Sequence, residues 1–187
     1  NEGSVGADAN FAGEITVVSR EDGSGTRGAF VELFGIEQKN EAGEKVDYTT
    51  DECDITNSTS VMMTSVAGNE CAIGYISLGS LNDTVKALEI DGAAATVENI
   101  KAGTYNVARP FNIATLAETS EAAQEFIHFI MSQEGQTIIE NNGYIAVAED
   151  ASAFAGAKAA GKVVVAGSSS VTPVMEKLKE LEEHAGA

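Results

Sequence analysis

Basic residues are scarce. Eleven Lys and Arg stand against 29 Asp and Glu, a net charge of −18. A surface of that sign excludes nucleic acid and anionic membranes as partners, since both require basic patches. Cysteine is nearly absent. Cys53 and Cys71 are too few for a disulfide scaffold, and they lack the spacing of a zinc site. Each opens an apolar stretch, DECDIT and CAIGYIS. If these are neighbouring parallel strands, both cysteines lie at the sheet end away from the ligand loops. That leaves a structural disulfide and two buried free thiols both open. Histidine is limited to His128 and His184. Neither lies in a turn beside a serine, Ser24 is not in a G-x-S-x-G elbow, and no metal cluster is visible. An enzyme is therefore disfavoured, and no metal or cofactor is expected. No apolar run reaches the roughly 20 residues that span a bilayer. The opening NEGSVGADANFAGE has neither the basic start nor the apolar core of a signal peptide, which reads as a mature or excised chain. Two prolines against 19 glycines suggest many tight turns between strands and helices.

The informative stretch is ITVVSREDGSGTRGAFVELFGI, residues 15–36. Ile15 to Val18 read as a short buried strand. A turn of Glu21, Asp22, Gly23, Ser24, Gly25 and Thr26 follows. Ala29, Phe30, Val31, Leu33 and Phe34 then recur at helical spacing, giving a helix over 27–35. A strand, a Gly-rich turn and a helix start in that order form an anion cradle. The first helical amides lack partners and carry the positive end of the macrodipole. Gly23 and Gly25 permit close backbone approach. Ser24 and Thr26 add hydroxyl donors, and Arg20 adds a planar fork suited to phosphate or sulfate. The plainer reading is a helix cap with a surface arginine. The negative net charge does not veto an anion ligand, because exposed charges are screened beyond roughly 8 Å at physiological salt.

The string SREDGSGTRGAFVELF resembles the signature loop in the second lobe of the phosphate-binding proteins that serve ATP-driven phosphate importers. AIGYISLG, residues 72–79, is similarly characteristic. The resemblance implies that Arg20, Ser24, Gly25 and Thr26 contact inorganic phosphate, and that Asp22 holds Arg20 in place. It implies an α/β fold: a three-layer sandwich lobe of the periplasmic-binding-protein-like type, with a mixed, mostly parallel sheet flanked by helices. It also implies an extracytoplasmic location and a membrane permease of an ABC importer as partner.

In chain order, residues 1–13 read as a loose leader and 36–50 as an exposed acidic loop. Asn57 to Ser60 offer caps for a two-turn helix containing Val61, Met62 and Val66. There the resemblance brings Thr59 or Ser60 near the ligand, although capping is the simpler role. CAIGYISLGSL reads as a buried strand, Lys86–Ile90 as another, and Thr96–Lys101 as a short helix. NVARPFNIATL reads as an edge strand, because Pro110 cannot donate to a ladder. Arg109 within it reads as an ion-pair partner for the acidic surface or as a cleft residue. Ser120 caps the clearest helix, whose stripe is Ala123, Phe126, Ile127, Ile130 and Met131. His128 on that helix reads as surface or partly buried. A second helix, about 134–141, ends at Asn141-Asn142-Gly143. The sequons at Asn57 and Asn82 carry meaning only in a eukaryotic secreted protein.

The tail breaks the family's order. Residues 149–160 are Ala/Gly-rich and read as a linker. Residues 161–187 give an apolar strand (Val163–Ala166), the turn GSSSVTPVMEKL and a helix. That turn resembles the first strand-turn-helix of the family's first lobe, which normally opens the chain. It implies phosphate contacts from Ser169 and Ser170; the simpler reading is that Ser168, Ser169 and Ser170 cap the helix. GAKAAGKV nearly matches a P-loop, but Val163 cannot hold Mg²⁺ and no helix follows directly. The expected organisation is a second-lobe-like domain over 1–148, the linker, and a permuted tail. The tail would insert beside the first strand, or be exchanged with a partner chain or complementary lobe. The missing first-lobe parts would supply further contacts, including an Asp that accepts the anion's proton. The leading expectation is a phosphate-binding module that binds without chemistry. The alternative is a single-lobe scaffold with a vestigial site.

Overall fold

A computed structural model describes residues 14–148, 150–156, 159–168 and 170–184. Strand β1 (Thr16–Arg20) runs into helix α1 (Gly25–Leu33) through the turn at 21–24. Next come β2 (Glu37–Lys39) and β3 (Lys45–Asp47), an antiparallel hairpin with Gln38 opposite Val46. Strand β4 (Asp54–Thr56), helix α2 (Thr59–Ala67) and strand β5 (Ala72–Ile73) follow. β1 lies at the centre of a parallel sheet, with Val18 opposite Asp54 of β4 and Thr16 opposite Ala72 of β5. The first crossover leads from β1 out to β4, and the second returns from β4 past β1 to β5. They run in opposite directions across the sheet, so right-handed connections put α1 and α2 on its opposite faces. This is the expected α/β layering.

The regular elements that follow are helices. Helix α3 (Val97–Lys101) is capped by Thr96. Helices α4 (Glu121–Met131) and α5 (Gln133–Asn141) meet at Ser132, which ends one and caps the other. Gly143 after α5 takes a φ of 78°, the left-handed geometry a helix end favours. Helix α6 (Thr172–His184) closes the chain. Phe126, Phe129 and Ile130 of α4, Ile138 of α5, Tyr144, and Val174 and Leu178 of α6 form one buried cluster. Buried Gln136 ties it together: its amide nitrogen donates to the Ile130 carbonyl, and its oxygen accepts from the Val147 amide.

Several sequence expectations need correction. Residues 36–50 are not a bare loop but hold the β2–β3 hairpin. The Asn40 side chain accepts from the Ala42 and Glu44 amides, and Gly43 takes φ 81°, so the turn itself sets the pairing. No apolar alternation is needed, and none is present. Val163–Ala166 is not a strand. Both edges of β1 are already taken by β4 and β5, and Val164 is left 79% exposed. Lys86–Ile90 and the segment around Pro110 are likewise irregular, save one bridge between Ile90 and Ala93. The buried strand expected in CAIGYISLGSL shrinks to Ala72–Ile73.

Cys53 and Cys71 are free and half-buried. The register places Cys53 beside Val17 and Cys71 beside Ile15, on opposite sides of β1. Two strand spacings separate them by roughly 10 Å, which is beyond disulfide reach. They are not neighbours, because β1 lies between them.

Candidate functional site

A ligand crevice in an open parallel sheet forms beyond the carboxyl ends of the strands. Here β1 delivers Arg20 to that end, and the turn at 21–24 follows. Gly23 has φ 80°, a conformation that strains any side chain. Ser24 is extended (φ −64°, ψ 123°), and its oxygen accepts from the Arg27 amide at 3.3 Å. The capping reading is thus correct, and it does not exhaust the residue. A hydroxyl that accepts at a cap keeps its own proton to donate.

Gly25 opens α1. A Cβ added there would stand 2.7 Å from Ser168 Oγ. The anion turn and the tail turn therefore lie against each other, and a side chain at Gly25 would displace Ser168. Ser168 Oγ is 2.9 Å from Ser170 Oγ, and the Ser170 carbonyl accepts the Tyr144 hydroxyl at 2.7 Å. That bond joins the tail turn to the helical core. The turn that leads into α6 thus lies against the first residue of α1, beside the positive end of that helix. Ser169 lies outside the described residues.

Thr26 is 8% exposed, and its Oγ1 has no hydrogen-bond partner among the described residues. A buried hydroxyl left unmade costs about 1–3 kcal/mol. Such an orphan within a helix N-terminus is what an absent acceptor would satisfy.

Arg20 is 2% exposed. Its Nε and Nη2 donate to the Glu21 carboxylate at 2.8 and 3.0 Å, and Nη1 donates to Thr59 Oγ1 at 3.5 Å. Its backbone amide donates to the Tyr75 hydroxyl at 3.1 Å, and that hydroxyl also lies 2.8 Å from Ser19 Oγ. Tyr75 stacks on Phe30 of α1, with centroids 4.0 Å apart and planes 5° from parallel. Strand end, α1 and the AIGYISLG segment are thereby locked together.

The expected role of Asp22 is not what the geometry gives. Glu21 holds Arg20, whereas Asp22 turns to Arg27 at 2.8 Å. On this turn the adjacent carboxylate reaches the guanidinium fork, and the next one points away towards the first turn of α1. The Arg20 hydrogen bond, against a smaller effect of burial, holds the Glu21 carboxyl below its ordinary range. Ser58, not Thr59, caps α2, which leaves Thr59 Oγ1 to meet Arg20. Arg109 makes the ion pair expected of it and reaches α1. It donates to the Gly25 carbonyl at 2.8 Å and lies 3.9 Å from Glu32.

Four residues that bear on the site had no role in the sequence reading: Ser168 as a neighbour of Gly25, Tyr75, Glu21 and Arg27. Tyr75 lay in plain view in a string read for its family likeness. The others needed the turn's geometry or a long-range contact.

Asp47 of β3 pairs with Arg27 Nε at 2.8 Å. Burial raises its pKa, but hydrogen bonds from Thr49 and Arg27 outweigh that and lower it overall. A depressed carboxyl contributes stability that is complete above its unfolded pKa and is lost as pH falls through the folded value. We expect Asp47→Asn to reduce the steepness of acid destabilisation below about pH 4 in thermal melts. An unchanged acid limb would show that the pair contributes nothing.

No group of three or more His, Cys, Asp or Glu able to hold a metal occurs among the described residues. No described helix is long and apolar enough to cross a membrane.

Known proteins resemble this chain over most of its length. Phosphate-binding protein PstS 2 of Streptococcus agalactiae serotype V is 59% identical over 169 residues, which is 90% of this chain and 57% of that protein. The chain thus spans under two thirds of this relative's length. A crystal structure of a phosphate ABC transporter phosphate-binding protein from Streptococcus pneumoniae TIGR4 superposes with a TM-score of 0.77 at 45% identity, covering 92% of this chain and 66% of that one. A substrate-binding protein of a phosphate ABC transporter from Clostridium perfringens, solved with bound phosphate, gives 0.61 at 41% identity over 71% of this chain and 52% of its own. A family model for the PBP superfamily domain matches residues 6–134. The chain belongs to the PBP superfamily.

Proposed function

We propose that this chain is the phosphate-holding part of a solute-binding protein of a phosphate ABC importer, and that it binds without chemistry. The observation that carries this is the buried Thr26 hydroxyl, unpartnered among the described residues, in the first turn of a helix whose first residue lies against the tail turn at Ser168. Arg20, Ser24, Gly25 and Thr26 hold the anion from one side. Ser169 and Ser170 hold it from the tail, and Glu21 rather than Asp22 orients Arg20. The 59% identical streptococcal relative and the phosphate-bound structure support the choice of anion.

Shares of 90% and 92% reach into the tail unit, which supports an order of pieces in common with the streptococcal relatives. The remainder of their length would supply the complementary lobe. It would also cover apolar side chains left open here, such as Val17, Phe34 and Ile73. Closure of two lobes over the anion, outside the cytoplasm, would present it to a permease.

The test is calorimetric titration of phosphate into stripped protein, with sulfate as competitor. Saturable heat is expected, and none up to millimolar phosphate rejects the reading. Thr26→Val sharpens it. Removing an unpartnered buried hydroxyl should leave the melting temperature unchanged or raised. Phosphate affinity should fall about 10-fold or more, the value of one hydrogen bond to a charged group. A variant that loses stability and keeps affinity would show that the hydroxyl serves the fold alone.

A further inference from the structure

Arg27 stands at the wrong end of its helix. It is the third residue of α1, where the macrodipole is positive and a cation is disfavoured. Its side chain is nonetheless only 16% exposed. Three contacts account for it. Nη1 lies 2.8 Å from Asp22 Oδ1, Nε donates to Asp47 Oδ2 at 2.8 Å, and Nη1 donates to the Arg20 carbonyl at 3.0 Å. One guanidinium thus bonds the strand end, the anion turn and the β2–β3 hairpin.

We propose that Arg27 is the positioning residue of the anion turn, acting without touching the anion. It does two things. It fixes the Arg20 carbonyl, so that the backbone entering the turn has one path. It also neutralises the two carboxylates that flank the turn, solvent-exposed Asp22 and the less exposed Asp47, in a chain of net charge −18. Without it, Asp22 is left free to compete for the Arg20 fork or to repel the ligand at short range. The pairing also explains why Asp22 does not reach Arg20. The hairpin acquires a function as well: through Asp47 it is a brace for the turn. This inference rests on the anion reading of the site, but its backbone half can be read without any ligand.

The experiment compares full-chain wild type, Arg27→Ala, Arg27→Lys and the double variant Arg27→Ala/Asp22→Asn. Phosphate titration and amide hydrogen exchange are run on each. Arg27→Ala is expected to weaken phosphate binding about 10-fold and to speed exchange of the Glu21, Ser24 and Gly28 amides, which donate to the Thr56, Glu21 and Ser24 carbonyls, by a similar factor. Phe129 and Ile130 amides in the helical core should not change. The double variant should recover at least half of the lost affinity on a logarithmic scale, because it removes the carboxylate that Arg27 masks. Lys, which retains charge without the fork, should fall between wild type and Ala. High salt should narrow the gap between wild type and Arg27→Ala.

A purely structural residue would give no rescue by Asp22→Asn and no salt dependence, and that result overturns the electrostatic role. Unchanged exchange in the turn overturns the positioning role. If wild type itself binds no phosphate while Arg27→Ala still speeds exchange in the turn, the phosphate reading fails and the clamp stands.

Discussion

Arg20→Ala is expected to lower phosphate affinity by on the order of 100-fold, the largest binding loss of any single change here. The guanidinium is buried, and Glu21 occupies its Nε and Nη2 edge in a bidentate pair. That pair fixes the plane of the fork and sends Nη1 towards Thr59 at the start of α2. An anion at this point meets a donor that is already oriented, so little side-chain entropy is lost on binding. Two charge-assisted hydrogen bonds of about 1.5 kcal/mol each correspond to that factor. Stability should also fall, by about 1–3 kcal/mol, because a buried side chain with several partners is removed. Glu21 is partly exposed, so its charge is not stranded in a dry site. Arg20→Lys separates charge from geometry. It retains the cation but cannot present the fork to Glu21 and the ligand together, and should recover only part of the loss. Affinity within about threefold of wild type in Arg20→Ala would remove Arg20 from the site.

The local geometry set by adjacent residues was legible in the sequence. Strand, Gly-rich turn and helix start follow one another without a break, so Arg20, Ser24, Gly25 and Thr26 fall on one loop by chain order alone. Caps at Ser120 and Thr96 were legible for the same reason: a cap is a local hydrogen bond. Whatever depended on distant competition was not legible. Val163–Ala166 has a strand's composition, but β1 had no vacant edge. Glu21 and Asp22 are equally suited to pair with Arg20. The choice was made by Arg27, further along the chain in α1, and by Asp47 on a hairpin whose polar sequence shows no period. The contact between Ser168 and Gly25 joins opposite ends of the chain. Only the family likeness of the two turns hinted that they belong together.

That contact depends on how α6 is seated, and Leu178→Ala tests the seat. Leu178 is 1% exposed and packs in the cluster with Phe126, Phe129 and Ile138. Truncating a leucine at such a position costs about 3 kcal/mol, from lost transfer energy and the cavity left behind. For a chain of this length that lowers the melting temperature by roughly 6–12 °C. The size of the loss bears on function, because Tyr144 in the same cluster bonds the Ser170 carbonyl and so holds the tail turn against Gly25. The same melts distinguish a tail packed on its own chain from one exchanged with a second copy. α6 here contacts α4 and α5 of its own chain. The midpoint should therefore stay constant over a roughly 100-fold range of protein concentration. A midpoint that climbs with concentration would mean that the tail completes the site of a partner, and that Leu178→Ala weakens a dimer rather than a core.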